Sequence, residues 1–233
     1  MVEKLSEDER VAALAELDGW REKPGRGAIE KLFRFANFNA AWGFLFAAAL
    51  VLATPALAGP FDEGIRALQA GDFANARSAF TPLAADGDGN AQFMLGVMLE
   101  NGLGTAKDPG AAAGWYRKAA ADGVASAQYN LGVFYQLGSG VPRDPAQALK
   151  YHRLAADQGH SRAQNNLGTI YYTGAGVARD TVEAWKWLTL ATRGLKGEAK
   201  DIATENITAI ERELSPDALA EAKRRTAAWR PRK

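Results

Sequence analysis

Between positions 90 and 195 the apolar residues fall in short bursts spaced three and four apart, the pattern of amphipathic helices. The bursts come in pairs, and the pairs repeat. Ala91-Gln92, Ala127-Gln128 and Ala163-Gln164 stand 36 residues apart, and the same shift superposes Leu95-Gly96, Leu131-Gly132 and Leu167-Gly168. Gly102 and Gly104, Asp108, Ala112 and Trp115 also recur, as Gly138, Gly140, Asp144, Ala148 and Tyr151 and then as Gly174, Gly176, Asp180, Ala184 and Trp187. A period of this size marks a solenoid, whose units bury their apolar faces only against their neighbours.

Each unit reads as two antiparallel helices. Helix A is predicted over 90–100, 126–136 and 162–172. The G-x-G segments break the pattern and turn the chain. Helix B starts at Asp108-Pro109 and Asp144-Pro145, a capping aspartate before a first-turn proline, and ends near Gly123 and Gly159. A mid-helix glycine costs about 1 kcal/mol relative to alanine. Gly96, Gly132 and Gly168 accept that cost at one position in all three units, so close approach of helix B at Ala112, Ala148 and Ala184 is expected to offset it.

The recurring A-x-x-x-L-G-x-x-[LY]-x-x-G-x-G-x-x-x-D-x-x-x-A pattern resembles the Sel1-like repeat, a relative of the tetratricopeptide repeat. The expected fold is all-α, a solenoid of repeats at 90–125, 126–161 and 162–197. A divergent unit at 59–89 precedes them, with Gly71-Asp72 in place of the longer loop, and a helical cap and basic tail at 198–233 follow. The resemblance implies an adaptor or scaffold that binds a protein or peptide in a concave groove lined by the A helices. By analogy with tetratricopeptide repeats that groove holds Phe93, Val97 and Glu100, then Tyr129, Asn130, Val133 and Gln136, then Arg162, Asn165, Asn166 and Thr169. In related peptide-binding repeats an asparagine at the place of Asn130 and Asn166 contacts ligand backbone. The alternative is that each satisfies a neighbouring backbone group.

Residues 1–60 do not share the period. Ser6-Glu7-Asp8-Glu9 forms a capping box before a helix to about Leu17, and 20–22 and 29–35 read as strands around Gly25-Arg26-Gly27. Residues 35–61 carry no charge, basic residues precede them, and Ala56-Leu57-Ala58 gives an A-x-A pattern before Gly59. This is the sequence of an export signal, implying an exported or periplasmic product and a gene start misplaced or fused. The other readings are an uncleaved membrane anchor, since 40–58 is 19 residues long, and an ordinary buried helix. LSEDERVAALAELDGW followed by AIEKLFRFANFNAAWGFL also resembles the first half of pterin carbinolamine dehydratase, a small α+β enzyme acting on a 4a-hydroxy pterin. No histidine precedes His152, so none of that family's catalytic histidines can be carried over. The segment is read as a truncated dehydratase piece fused upstream of the repeats, or else as an unrelated helix and hairpin.

Composition narrows the chemistry further. With 47% apolar residues the chain can bury a sizeable core, and 28 basic against 27 acidic residues give no global case for nucleic acid. The lack of cysteine excludes disulfides, thiol catalysis and cysteine-ligated metals, and two histidines leave little for acid–base work. Lys107 follows a G-x-G loop, but no G-x-x-x-x-G-K-[ST] is present, so the loops are turns rather than phosphate cradles. His160, beside Ser161, is expected to be solvated, and the run Lys223, Arg224, Arg225, Arg230, Arg232 and Lys233 a solvated end or an anion-seeking tail. No catalytic residue, metal or cofactor is expected.

Overall fold

The structure is a computed structural model, which describes residues 20–23, 28–31 and 59–232. The chain divides into two units, Met1–Ala53 and Thr54–Lys233. In the first, β1 (Trp20–Lys23) pairs antiparallel with β2 (Ala28–Lys31), in a register running from Trp20 opposite Lys31 to Lys23 opposite Ala28. This is the expected hairpin. The expected leader helix and the apolar segment 40–58 lie outside the described residues.

Among its described residues the second unit is built of helices. Its elements are α1 (Pro60–Gln69), α2 (Phe73–Ala85), α3 (Gly89–Asn101), α4 (Pro109–Ala121), α5 (Ala125–Leu137), α6 (Pro145–Asp157), α7 (Ser161–Thr173), α8 (Thr181–Ala191), α9 (Glu198–Glu213) and α10 (Pro216–Ala228). Each packs on the next in sequence through α9, and α10 turns back onto α8. The A helices α3, α5 and α7 end at Gly102, Gly138 and Gly174 with φ of 71°, 74° and 72°, a left-handed cap that only glycine adopts freely. The B helices begin on aspartate caps: Asp108 accepts from the Ala111 amide, Asp144 from Ala146 and Gln147, and Asp180 from Glu183. The same aspartates donate their own N–H back to helix A, to the carbonyls of Leu99, Tyr135 and Tyr171 at 2.9–3.0 Å. One residue thus closes the loop and starts the next helix.

The repeat glycines do make a close approach to helix B, chiefly to the residue one turn beyond the alanine, and at Gly168 to the backbone of Ala184 as well. A Cβ on Gly96 would lie 2.6 Å from the Tyr116 ring, and one on Gly132 would lie 2.7 Å from the His152 ring. At Gly168 it would meet the Leu188 side chain at 2.7 Å, with the Ala184 carbonyl at 3.1 Å. The large B-helix residue one turn beyond each alanine fills the room, because a side chain pointing across at helix A needs that distance. Gly64 does the same against Phe80 between α1 and α2. The two are sixteen residues apart rather than twenty, as a loop four residues shorter requires.

A second periodic device was invisible as chemistry in the sequence. Gln92, Gln128 and Gln164 are buried, and each Nε2 donates to a carbonyl in the last turn of the preceding B helix: Ala84, Ala120 and Ala156, at 3.1–3.2 Å. Those carbonyls lack a full set of helical partners, and the glutamine supplies one from the next unit.

The described cations of the tail, Lys223, Arg224, Arg225, Arg230 and Arg232, are exposed, as a solvated basic end requires, and some of them also pair with acids. Arg224 and Arg225 pair with Glu221, Arg225 also reaches Glu183, and Arg232 lies 3.6 Å from the Asp157 carboxylate. Trp229 packs edge-on to Trp187, with ring centroids 6.3 Å apart. Arg224, Arg225 and Arg232 therefore reach acids on α10, α8 and α6, while Arg230 bonds the carbonyls of Ala227 and Trp229.

Candidate functional site

Phe93, Tyr129 and Asn165 occupy one position of the period on α3, α5 and α7, and all three are half-buried. They form a row along consecutive A helices. Beside it Val133 is half-buried and Thr169 exposed, whereas Val97 is buried in the core below. Val97 is thus core rather than groove, because it packs on the cluster containing Ala112, Tyr116 and Leu131.

Beneath the row lie two related polar clusters. At the first boundary the Tyr116 hydroxyl donates to the Glu100 carboxylate at 2.5 Å, and the Asn130 side chain bonds the same hydroxyl. One repeat on, His152 Nε2 faces Gln136 Oε1 at 3.2 Å and Asn166 Nδ2 at 3.5 Å. Asn130 is therefore engaged with its own chain, through a side chain rather than backbone, and Asn166 stands against the His152 ring. Burial and the adjacent Glu100 charge push the Tyr116 hydroxyl well up. His152 is fully buried, and its Nδ1, packed against Gly132, has no hydrogen-bond partner among the described residues. A protonated Nδ1 would be an orphan donor, so the ring is neutral, with Nε2–H donating to Gln136 Oε1 and the Asn166 Nδ2, itself a donor, in contact only.

Tyr129 connects this cluster to His160. Its ring stacks on His160 with centroids 4.7 Å apart and an interplanar angle of 25°, and it lies 5.9 Å from the His152 ring. His160 caps α7, its Nδ1 accepting from the Ala163 amide at 3.3 Å. The expectation of a solvated His160 is thus overturned: the ring is held between the helix terminus and Tyr129. Burial lowers both imidazoles to about 4, helped at His152 by His160 and at His160 by Arg162. Burial also pushes Arg162 down to about 10, against the opposing pull of Tyr129. With Nδ1 of His160 committed to the cap, it offers Ser161 no base, and among the described residues no group of three or more His, Asp and Glu side chains is placed to hold a metal. No helix among the described residues is long and apolar enough to cross a membrane. What the surface can do is bind: aromatic faces at Phe93 and Tyr129, an amide at Asn165 whose Oδ1 is itself buried, and a guanidinium at Arg162.

Of the residues predicted for the groove, Phe93, Tyr129 and Asn165 are brought into one row, Arg162 interacts with Tyr129, and Glu100, Gln136, Asn130 and Asn166 go into the clusters below. His160 was missed. Its signal was its place, since Asp88 stands at the same period position and caps α3.

Residues 89–124, 125–160 and 161–194 each match the Sel1 repeat, and residues 3–54 match pterin 4 alpha carbinolamine dehydratase. Among solved structures, a protective antigen of uropathogenic Escherichia coli displaying an SLR fold is similar at 34% identity and a TM-score of 0.61, over 72% of this chain and 38% of that one. A Sel1 repeat protein from Oxalobacter formigenes is similar at 32% identity and a TM-score of 0.58, over 62% and 58%. The N-terminal segment is 53% identical over 51 residues to a provisionally named pterin-4-alpha-carbinolamine dehydratase of Nitrobacter hamburgensis, and 44% over 50 residues to one of Paraburkholderia xenovorans. The chain spans about half the length of these curated relatives, 50% and 52%. The chain therefore carries three Sel1 repeats in an SLR-fold solenoid over residues 89–194, together with a pterin-dehydratase-like segment over 3–54.

Proposed function

We propose that this protein is an interaction scaffold that holds an extended segment of a protein partner across the A-helix face of its second and third repeats. The observation that carries the reading is the half-buried pair Tyr129 and Asn165 on those repeats, with Arg162 at their edge and Phe93 continuing the row onto the first repeat. Flat aromatic faces and an arginine are the residue types that dominate binding energy at protein interfaces. The amide nitrogen of Asn165 suits main-chain carbonyls, which every extended peptide offers. Sel1 repeats and the SLR-fold likeness support protein interaction as the class of function.

The test is photo-crosslinking from an unnatural residue at Thr169, which is exposed beside the row. A partner crosslinked by the parent and lost from Tyr129→Leu combined with Asn165→Ala, at unchanged melting temperature, supports the reading; undiminished capture overturns it. Export is part of the proposal, supported by the uncharged stretch 35–61 and its A-x-A motif. A mature chain starting at Gly59 in the host is the expected result, and a full-length chain refutes it. The pterin-like segment is proposed to be catalytically silent, since no histidine lies within it. Turnover of a 4a-hydroxy pterin above background, lost on deleting residues 1–58, refutes that.

A further inference from the structure

The A helices of the three repeats begin at one position of the period, and each begins differently. Asp88 caps α3, its carboxylate accepting from the Ala91 amide at 2.8 Å. Val124 starts α5 with no side-chain cap. His160 caps α7, and the atom that accepts from the Ala163 amide is Nδ1. The lone pair that holds this helix start is therefore also a proton site. An imidazolium carries donors only, so a proton on Nδ1 removes the cap and sets a second donor against the Ala163 N–H. It also places a positive charge at the positive end of the helix.

The first turns of α7 carry part of the binding row. Arg162 and Asn165 stand just beyond the cap, and the Tyr129 ring lies on the imidazole at 4.7 Å. The residue before the cap, Gly159, lies under the tail, where a Cβ would meet the Trp229 ring at 3.6 Å and Pro231 at 3.8 Å. The charges around the imidazole are Arg162 on its own helix, His152 and Asp157 on α6, and Arg232 of the tail, which reaches Asp157. Beyond Tyr129 stands Glu100 of α3, which accepts from Tyr116. Arg153 of α6 is turned to Tyr171, and Arg193 is exposed on a loop that approaches Ser161 at Gly194. Burial first, then Arg162, hold the capped imidazole at about 4, whereas a released one returns to the ordinary 6.5. A fall from pH 7 to pH 5 therefore favours the released start about twentyfold.

We infer that His160 is the positioning residue of the binding row and a proton-operated catch on it. Neutral, it holds Arg162, Asn165 and Tyr129 in one surface. Protonated, it lets go of the start of α7, and the partner segment is released with it. The release of a partner rests on the row being the binding face; the catch itself does not.

The test is an NMR titration of the full chain from pH 7.5 to 4, following both imidazoles, the Ala91 and Ala163 amides, the Asn165 side-chain amide and the Tyr129 ring. The chain has two histidines, so His152→Leu leaves His160 as the only imidazole signal. Ala163, Asn165 and Tyr129 are expected to shift together with His160, below pH 5.5, while Ala91 on its aspartate cap stays in place. His160→Asp supplies an acceptor that stays ionised at pH 5 and should remove the response above that pH. His160→Asn, also a good capping residue, serves if the aspartate variant does not fold. An ordinary His160 titration near 6.5, signals of Ala163 and Asn165 unmoved by it, or a response that survives in His160→Asp would each overturn the inference. So would a parallel shift at Ala91, which would mean acid unfolding of the whole solenoid. Photo-crosslinking from Thr169 reads the consequence: capture should fall at least fivefold from pH 7 to pH 5 in the parent and stay level in His160→Asp. Equal capture by the parent at both values overturns the release. No capture at any pH refutes the scaffold reading instead, and the titration still decides the catch.

Discussion

Tyr116 and His152 hold the same place in successive repeats, and a leucine, Leu188, holds it in the third. All three fill the space opened by a glycine on helix A, so sterically they are equivalents. Electrically they are not. Tyr116 stays neutral throughout the acid range and gives a strong hydrogen bond to a carboxylate. His152 stays neutral only because it is buried, so the boundary it fills can be opened by protons. A repeat protein thus keeps one shape while changing the conditions under which each joint holds.

The largest effect expected on this comparison is steric. Gly132→Leu drives a side chain into the His152 ring and should destabilise the solenoid by about 3 kcal/mol in urea denaturation. Combining it with His152→Ala should restore part of the loss, because the two residues share one space. A single mutant as stable as the parent would show that the glycine faces open room.

Acid should separate the two boundaries. The folded-state values of His152 and His160, about 4, lie below the unfolded value of 6.5. The unfolded chain therefore takes up protons first, and stability present above pH 6.5 is lost as pH falls toward 4. The loss by pH 4 should be about 3 kcal/mol per histidine, and less than additive because the two rings interact. His152→Leu copies the third repeat and should flatten melting temperature between pH 6.5 and 4.5. An unchanged slope would place the acid sensitivity elsewhere.

The glutamine bridges predict a smaller asymmetry. Gln128 is bonded at both ends, to Ala120 through Nε2 and to Gln158 through Oε1, whereas the Oε1 of Gln92 has no partner among the described residues. Gln128→Ala should cost about 1.5 kcal/mol and Gln92→Ala about half of that. Equal losses would mean that the Gln158 contact adds nothing.

The smallest effect separates the two asparagines. Asn166 meets His152 at 3.5 Å, a long contact, so Asn166→Ala should cost only about 0.5 kcal/mol. Asn130 bonds a hydroxyl already engaged with Glu100, and its removal should cost more. The reverse order would point to the histidine cluster as the tighter of the two.

Much of this architecture could be read along the chain. Asp108-Pro109 and Asp144-Pro145 start helices because aspartate accepts amide protons and proline needs no donor, and Gly102 and Gly138 end them because the left-handed cap excludes a Cβ at little cost only for glycine. These are local rules, satisfied within a few residues. The cost of Gly96, Gly132 and Gly168 was also legible, but not what met them, since Tyr116, His152 and Leu188 are twenty residues away and share no chemical type. The row Phe93, Tyr129 and Asn165 followed from the period alone, while the fate of Asn130 and Asn166 depended on which B-helix residue lay opposite.

The sequence by itself determined the helix pairs, their ends and their order, because capping, turn chemistry and a 36-residue period act over short distances. Only the tertiary structure decided that His160 caps a helix under Tyr129, that the basic tail folds back onto Asp157 and Trp187, and that the glutamines bind one unit to the next. Each of these joins residues from different units. Their burial and charge depend on how the units stack, which no run of neighbouring residues contains.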